Sequence, residues 1–220
     1  MTEKHLYITM GSAGPDPFTM GDSMRKLRPV WLVAIAATLL AGLGVFGMTS
    51  AMATGVKPAK AAVVDVNGNS LGTVILQPIG NTLAIAGKLT GIAPGFHGFH
   101  IHSVGICDPR ATDATGAIVP FASAGGHLNP GGATHGHHAG DLPVLFVAAD
   151  GKATAAFETD STTFAQIFDA DGAALIIHAG PDNLANIPAR YSAAGVAGPD
   201  AATLATGDSG GRFACGVITK

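Results

Sequence analysis

Charge is scarce in this chain. Of its 220 residues only 12% are Asp, Glu, Lys or Arg, the formal net charge is −3, and no Lys/Arg-rich run occurs. Without a basic stripe there is no electrostatic footprint for nucleic acid, and that partner is excluded. Aromatic residues are also few, at 6%, and sustained helical periodicity is missing after residue 54. Internal repeats and low-complexity segments are absent as well. Hydrophobic residues nevertheless reach 47%, beside 31 Gly and 13 Pro, which excludes a disordered tail and suits one loop-rich globular domain.

Part of that hydrophobicity belongs to the amino-terminal region. From Met24, with Arg25, Lys26 and Arg28, the chain runs through eighteen uncharged apolar residues, Trp31 to Met48, to Ala51-Met52-Ala53. Basic, apolar and then small residues make a secretory signal over 24–53, cleaved after Ala53. The alternative is an uncleaved membrane anchor, since a span needs roughly 20 apolar residues. Glu3, Asp16 and Asp22 precede the signal, an unusual place for acids, so residues 1–23 are read as an extra segment from an upstream start. The expected mature chain, 54–220, holds eight Lys/Arg against twelve Asp/Glu. Export, to a periplasm, cell envelope or extracellular space, makes a disulfide the default for the only two cysteines, Cys107 and Cys215. In the chain-entropy view it is worth about 4 to 5 kcal/mol for a loop of about a hundred residues.

Along the mature chain, short apolar or alternating runs are divided by turn residues: "AAVVDV", "LGTVILQ", "TLAIAGKLTG", "GFHGFHIHSV", "DLPVLFVAA", "KATAAFETD", "GAALIIHAG" and "RFACGVI". Asn67-Gly68 and Asp150-Gly151 are the strongest hairpin signals. Seven or eight strands with long Gly/Pro-rich excursions at 105–141 and 179–211 predict an all-β sandwich or flattened barrel. One helical turn is predicted within 161–168. Excursions of that length are expected to carry function.

Histidine is concentrated where those excursions meet the strands. His100 and His102 are two apart on one strand, so both leave the same face with Cα atoms roughly 6 to 7 Å apart. His97 has the opposite parity and is read as a structural residue hydrogen-bonded to backbone. "GGHLNPGGATHGHHAGD" adds His127, His135, His137, His138 and Asp141, and "LIIHAGPDN" ends a strand at His178, with Asp182 close behind. Two adjacent clusters result. His100, His102 and His178 form one, His135, His138 and Asp141 the other, and His127 is free to serve both through its two ring nitrogens. Four imidazoles suit copper, and the mixed nitrogen and oxygen set suits zinc.

The motifs "GFHIH", "GGHLNP", "HAGD", "IIHAGPDN" and "GGRFACGVI" closely resemble those of the copper, zinc superoxide dismutases, of the bacterial exported type and similar to actinobacterial members. The resemblance covers the whole mature chain. It implies an eight-stranded Greek-key β-sandwich or flattened barrel with two long functional loops, an architecture of which the family is itself a standard example. It implies copper on His100, His102, His127 and His178, and zinc on His127, His135, His138 and Asp141. Asp182 corresponds to a carboxylate that hydrogen-bonds ligand histidines of both sites, and Cys107–Cys215 to the family disulfide. Arg212 corresponds to the arginine that guides superoxide, and His127 doubles as a proton carrier. The implied reaction converts superoxide to oxygen and hydrogen peroxide through alternating Cu(II) and Cu(I), protecting the exported compartment from oxidative stress.

Two features depart from the family pattern. Only two residues separate His135 from His138, a trimmed zinc loop in which His137 is an alternative ligand to His138. The late excursion holds Arg190 as its one basic residue, so no lysine-rich steering funnel is expected. Two other classes of function compete. A non-catalytic secreted copper/zinc-binding protein would need no Arg212, and a zinc hydrolase would need fewer ligands than the seven present, one of them shared. Homodimer and monomer both stay open, and membrane attachment follows only from an uncleaved signal.

Overall fold

Alternation of buried and exposed residues explains most of the strands. In β1 (Ala59–Asp65), Ala59, Ala61 and Val63 are buried while Lys60 and Ala62 face solvent. In β2 (Ser70–Ile79), Leu71, Val74 and Leu76 point inward. The turn between them is closed by Asp65, whose carboxylate accepts from the backbone N–H of Asn67 and Asn69. This computed structural model describes residues 55–220, and the expected segment 1–23 and signal 24–53 lie outside the described residues. No helix among the described residues is long and apolar enough to cross a membrane.

The chain continues through β3 (Thr82–Thr90), β4 (Gly95–His97), β5 (Phe99–His102), a 3-10 turn (Ala122–Ala124), β6 (Leu145–Val147), β7 (Lys152–Thr159) and α1 (Phe164–Ile167). Then come β8 (Ala174–His178), the two-residue pair β9 (Ser192–Ala193) and β10 (Val196–Ala197), α2 (Ala201–Thr206) and β11 (Arg212–Thr219). All strands except β9 and β10 form one antiparallel sheet, ordered β4-β6-β7-β3-β2-β1-β11-β8-β5. Its two end strands are neighbours in the chain, parted only by Gly98. The sheet therefore returns on itself as a nearly closed barrel, and counting β4 and β5 as one broken strand gives the eight expected. The β3-to-β4 and β7-to-β8 connections step past neighbouring strands, which is Greek-key topology. The predicted helical turn is α1, closed by a capping box between Thr163 and Gln166. The helix α2 was not expected; none of its residues is buried, so no apolar stripe announces it.

Two strands are buried on both faces, and these position the site. Phe99 and Ile101 of β5, with Leu175 and Ile177 of β8, enter the main core beside Val63, Leu76, Ile85 and Ala214. The opposite face of the same strands carries His100, His102, Ala174, Ile176 and His178, roofed by the two long excursions. There Phe121, Ala124, Ala174, Ile176 and Cys215 make a second apolar cluster, against which Cys107 packs. The Cys107–Cys215 disulfide, with a Cα–Cα distance of 5.7 Å, ties the first excursion to β11. An irregularity in the β11–β8 register between Arg212 and Ala214, opposite His178, re-aims the Arg212 side chain.

Candidate metal centre

Four histidines of the cluster have one ring nitrogen committed to a supporting hydrogen bond, and the acceptor fixes which nitrogen carries the proton. His102 Nδ1 donates to the Gly125 carbonyl at 2.9 Å, and His178 Nδ1 to the Gly210 carbonyl at 3.0 Å. His100 Nε2 donates to Asp182 Oδ2 at 2.6 Å and His135 Nε2 to Asp182 Oδ1 at 2.8 Å. What remains is a set of lone pairs: His100 Nδ1, His102 Nε2, His127 Nε2, His135 Nδ1 and His178 Nε2, all buried and without partners. Among the described residues only the Thr162 hydroxyl shares that condition. An unsatisfied buried polar atom costs about 1 to 3 kcal/mol, so five together mark a place built for cations.

The lone pairs sort into two abutting groups. His100, His102, His127 and His178 bring ligand atoms within 4.8 Å of one another, and so do His100, His127, His135 and Asp141. Around Asp141 the geometry is tighter. Its Oδ2 accepts from the backbone N–H of Gly136 and His138, leaving Oδ1 facing His127 Nδ1 at 2.8 Å, His138 Nδ1 at 3.3 Å and His135 Nδ1 at 3.4 Å. His138 Nδ1 is also 3.2 Å from His127 Nδ1. Three nitrogens and one carboxylate oxygen around a common point exceed what hydrogen bonds can satisfy, and they fit a four-coordinate cation. His127 stands between the groups with one nitrogen facing each. His137, the alternative to His138, is exposed and outside the convergence. His97 is buried, its nitrogens against the carbonyls of His178 and Ala93, which matches its structural reading.

Electrostatics separate the groups. Burial lowers the pKa of His100 and, more strongly, of His102. Burial, aided by repulsion from His100, His127 and Arg212, pushes His178 down to about 3. Those rings are neutral and ligand-competent at physiological pH. For His135 burial also opposes charge, but hydrogen bonds and attraction from Asp141 and Asp182 outweigh it and raise the pKa to about 9. Both aspartates are held well below the usual carboxylate range: burial opposes this, and their histidine partners overcome it.

The profile of copper/zinc superoxide dismutase (SODC) matches residues 70–218. The chain belongs to the copper/zinc superoxide dismutase family. It is 46% identical over 153 residues to a superoxide dismutase [Cu-Zn] of Mycolicibacterium paratuberculosis, covering 68% of this chain and 64% of that relative. The chain thus spans less than two thirds of that relative's length. A superoxide dismutase [Cu-Zn] of Haemophilus parainfluenzae is 35% identical over 207 residues, 89% of this chain and all of that one (100%). The solved Cu/Zn superoxide dismutase from Brucella abortus superposes with a TM-score of 0.56 at 31% identity, covering 74% of this chain and 100% of that one.

Within this dismutase-family fold, the late excursion grips the zinc-type group. The backbone N–H of His135 donates to the Leu204 carbonyl of α2 at 2.7 Å. Gly207, which ends α2, lies so close that a Cβ there would stand 2.1 Å from His135 Nε2, so only glycine fits. Ala201, Leu204 and Ala205 also wall a cavity of about 380 Å³ that reaches His127 and His138. Arg212 Nη2 donates to the Gly125 carbonyl at 2.5 Å and Nη1 to that of Phe121. No carboxylate pairs with it among the described residues. Sequence reasoning missed these carbonyl partners, since a backbone acceptor leaves no side-chain signal beyond the glycine-rich stretches "SAGG" and "GDSGG".

Proposed function

We propose that this chain is a superoxide dismutase. His100 through Nδ1, and His102, His127 and His178 through Nε2, would hold copper. His127, His135 and His138 through Nδ1, with Asp141 Oδ1, would hold zinc. The observation that carries this reading is the set of orphaned lone pairs, divided by His127 and lying beside an arginine that has no carboxylate partner among the described residues. Bound copper supplies the one-electron couple by which one superoxide becomes oxygen and a second, with two protons, becomes hydrogen peroxide.

This chain's own residues do the rest. Arg212 keeps a permanent charge and a planar donor fork beside the copper group, and only some of its donors are spent on carbonyls, so the others can orient an anion. Asp182 holds the His100 and His135 tautomers and ring orientations at once. When its Nε2 is free, His127 carries a proton there for delivery to the reacting oxygen. The disulfide supports residence in an oxidising compartment, consistent with the signal read at 24–53.

The test is superoxide dismutation by the purified protein before and after chelation. Activity lost with the metals and restored by copper, but not by zinc alone, supports the proposal. Tight copper uptake without dismutation would instead favour a non-catalytic binder.

A further inference from the structure

Phe121 occupies a conformation that a bulky residue rarely adopts. Its φ of 59° and ψ of 17° are left-handed, yet it is fully buried. Such strain persists only where the surroundings over-determine it, and it clusters at functional sites. Here the surroundings are explicit. The Phe121 ring sits in the apolar cluster with Ala124, Ala174, Ile176 and Cys215, against which Cys107 packs. Its N–H donates to the Asp108 carbonyl at 2.8 Å. Ser123 laces the same turn to the neighbours of Cys107, accepting from Asp108 N–H at 2.9 Å and donating to the Ile106 carbonyl at 3.1 Å.

The 3-10 turn is flanked on its other side by Gly125, φ 73° and ψ −162°, a region open only to glycine, where a Cβ would also meet Ser103 Oγ at 2.6 Å. The two flanking residues turn their carbonyls toward one group. Phe121 accepts from Nη1 of Arg212 and Gly125 from Nη2, and Gly125 also accepts from His102 Nδ1.

We propose that Phe121 is the positioning residue for Arg212: its ring, buried beside the Cys107–Cys215 disulfide, holds the left-handed backbone that presents its carbonyl to the guanidinium. The proposal rests on the role given to Arg212 above. It assigns the ring rather than backbone freedom as the cause. Glycine, which adopts this backbone readily but has no ring, therefore separates the two.

The experiment compares the wild-type protein with Phe121→Gly and Arg212→Ala. Two readouts are taken: azide affinity of the copper-loaded protein, and exchange of the Arg212 Nη protons in the metal-free protein by NMR. Phe121→Gly keeps its copper content, weakens azide binding about tenfold, as expected for losing one hydrogen bond to a charged group, and speeds Nη exchange. Wild-type affinity and exchange in a folded Phe121→Gly protein would overturn the proposal. Should that variant not fold, the wild-type protein still decides. Its Arg212 Nη protons must exchange at least about tenfold more slowly than those of the exposed Arg110 and Arg190, and equal rates would refute the clamp. Unchanged azide affinity in Arg212→Ala, with slow exchange in wild type, would instead remove Arg212 from anion binding and leave the clamp in place.

Discussion

Replacing Asp182 by Asn exposes how the two metal groups depend on one carboxylate. Asp182 is almost fully buried, its two oxygens accept from His100 Nε2 and His135 Nε2, and Oδ1 also accepts from the Leu184 N–H at 2.7 Å. Asparagine keeps the shape but offers one acceptor and one donor. One of the two imidazole N–H groups must then face an NH2 group, and both lose a charged acceptor. A hydrogen bond to a charged group is worth about 1.5 to 3 kcal/mol, and removing a partner behind a metal ligand typically costs about 10- to 100-fold in affinity. Because the proposed assignment gives His100 to copper and His135 to zinc, both copper and zinc affinities fall in that range. Competition titration against a chelator measures each. Loss at one metal with the other within about twofold would refute the shared-carboxylate reasoning, since it would leave one ring indifferent to Asp182.

Arg212→Ala lowers the dismutation rate by at least about tenfold with metal content intact, the scale of losing one hydrogen bond between a charged group and the bound anion; unchanged turnover removes it from the mechanism. The rate varies little with ionic strength, because the walls Ala201, Leu204 and Ala205 over His127 carry no charge, and a steep salt dependence would point to another approach path. In the metal-free protein, stability against urea peaks at about pH 7, because the lowered His100, His102 and His178 and the raised His135 pull in opposite directions there. His178, held near 3, resists a proton that the unfolded chain takes below about 6.5, so stability falls as pH drops, by about 2 kcal/mol at pH 5 from this group alone. His135, raised to about 9, gives stability that is complete below about 6.5 and lost as pH rises through 9; a flat profile from pH 5 to 9 would contradict both assignments. Replacing Cys107 and Cys215 by serine costs about 4 to 5 kcal/mol in denaturant unfolding, for a closed loop with a sequence separation of 108.

The strands were legible because their residues alternate between a core and water, a period that survives in the sequence. The histidines of β5 and β8 were legible from side-chain parity rather than from exposure, since both strands are buried on both faces: His100, His102 and His178 fall on the face opposite Phe99, Ile101 and Ile177. Helix α2 was not. None of its residues is buried, so no apolar stripe at helical spacing marks it, and only the Asp200 cap and Gly207 bound it. The break at Gly98 was hidden because β4 and β5 each find partners on opposite ends of the sheet, a long-range fact. Nor does sequence say which nitrogen of an imidazole is free. That depends on the carbonyls of Gly125 and Gly210, each supplied by one of the two long excursions. The pairing of Cys107 with Cys215 was accessible, since two cysteines leave one choice.

In the proposed assignment His127 divides two cation sites of different chemistry. Anomalous diffraction at the copper and zinc edges, on crystals of the protein loaded with both ions, tests it directly. The expected result is one copper among His100, His102, His127 and His178, and one zinc among His127, His135, His138 and Asp141, on opposite sides of the His127 ring. A single ion for the whole cluster, or a zinc that leaves His135, His138 and Asp141 empty, would contradict it.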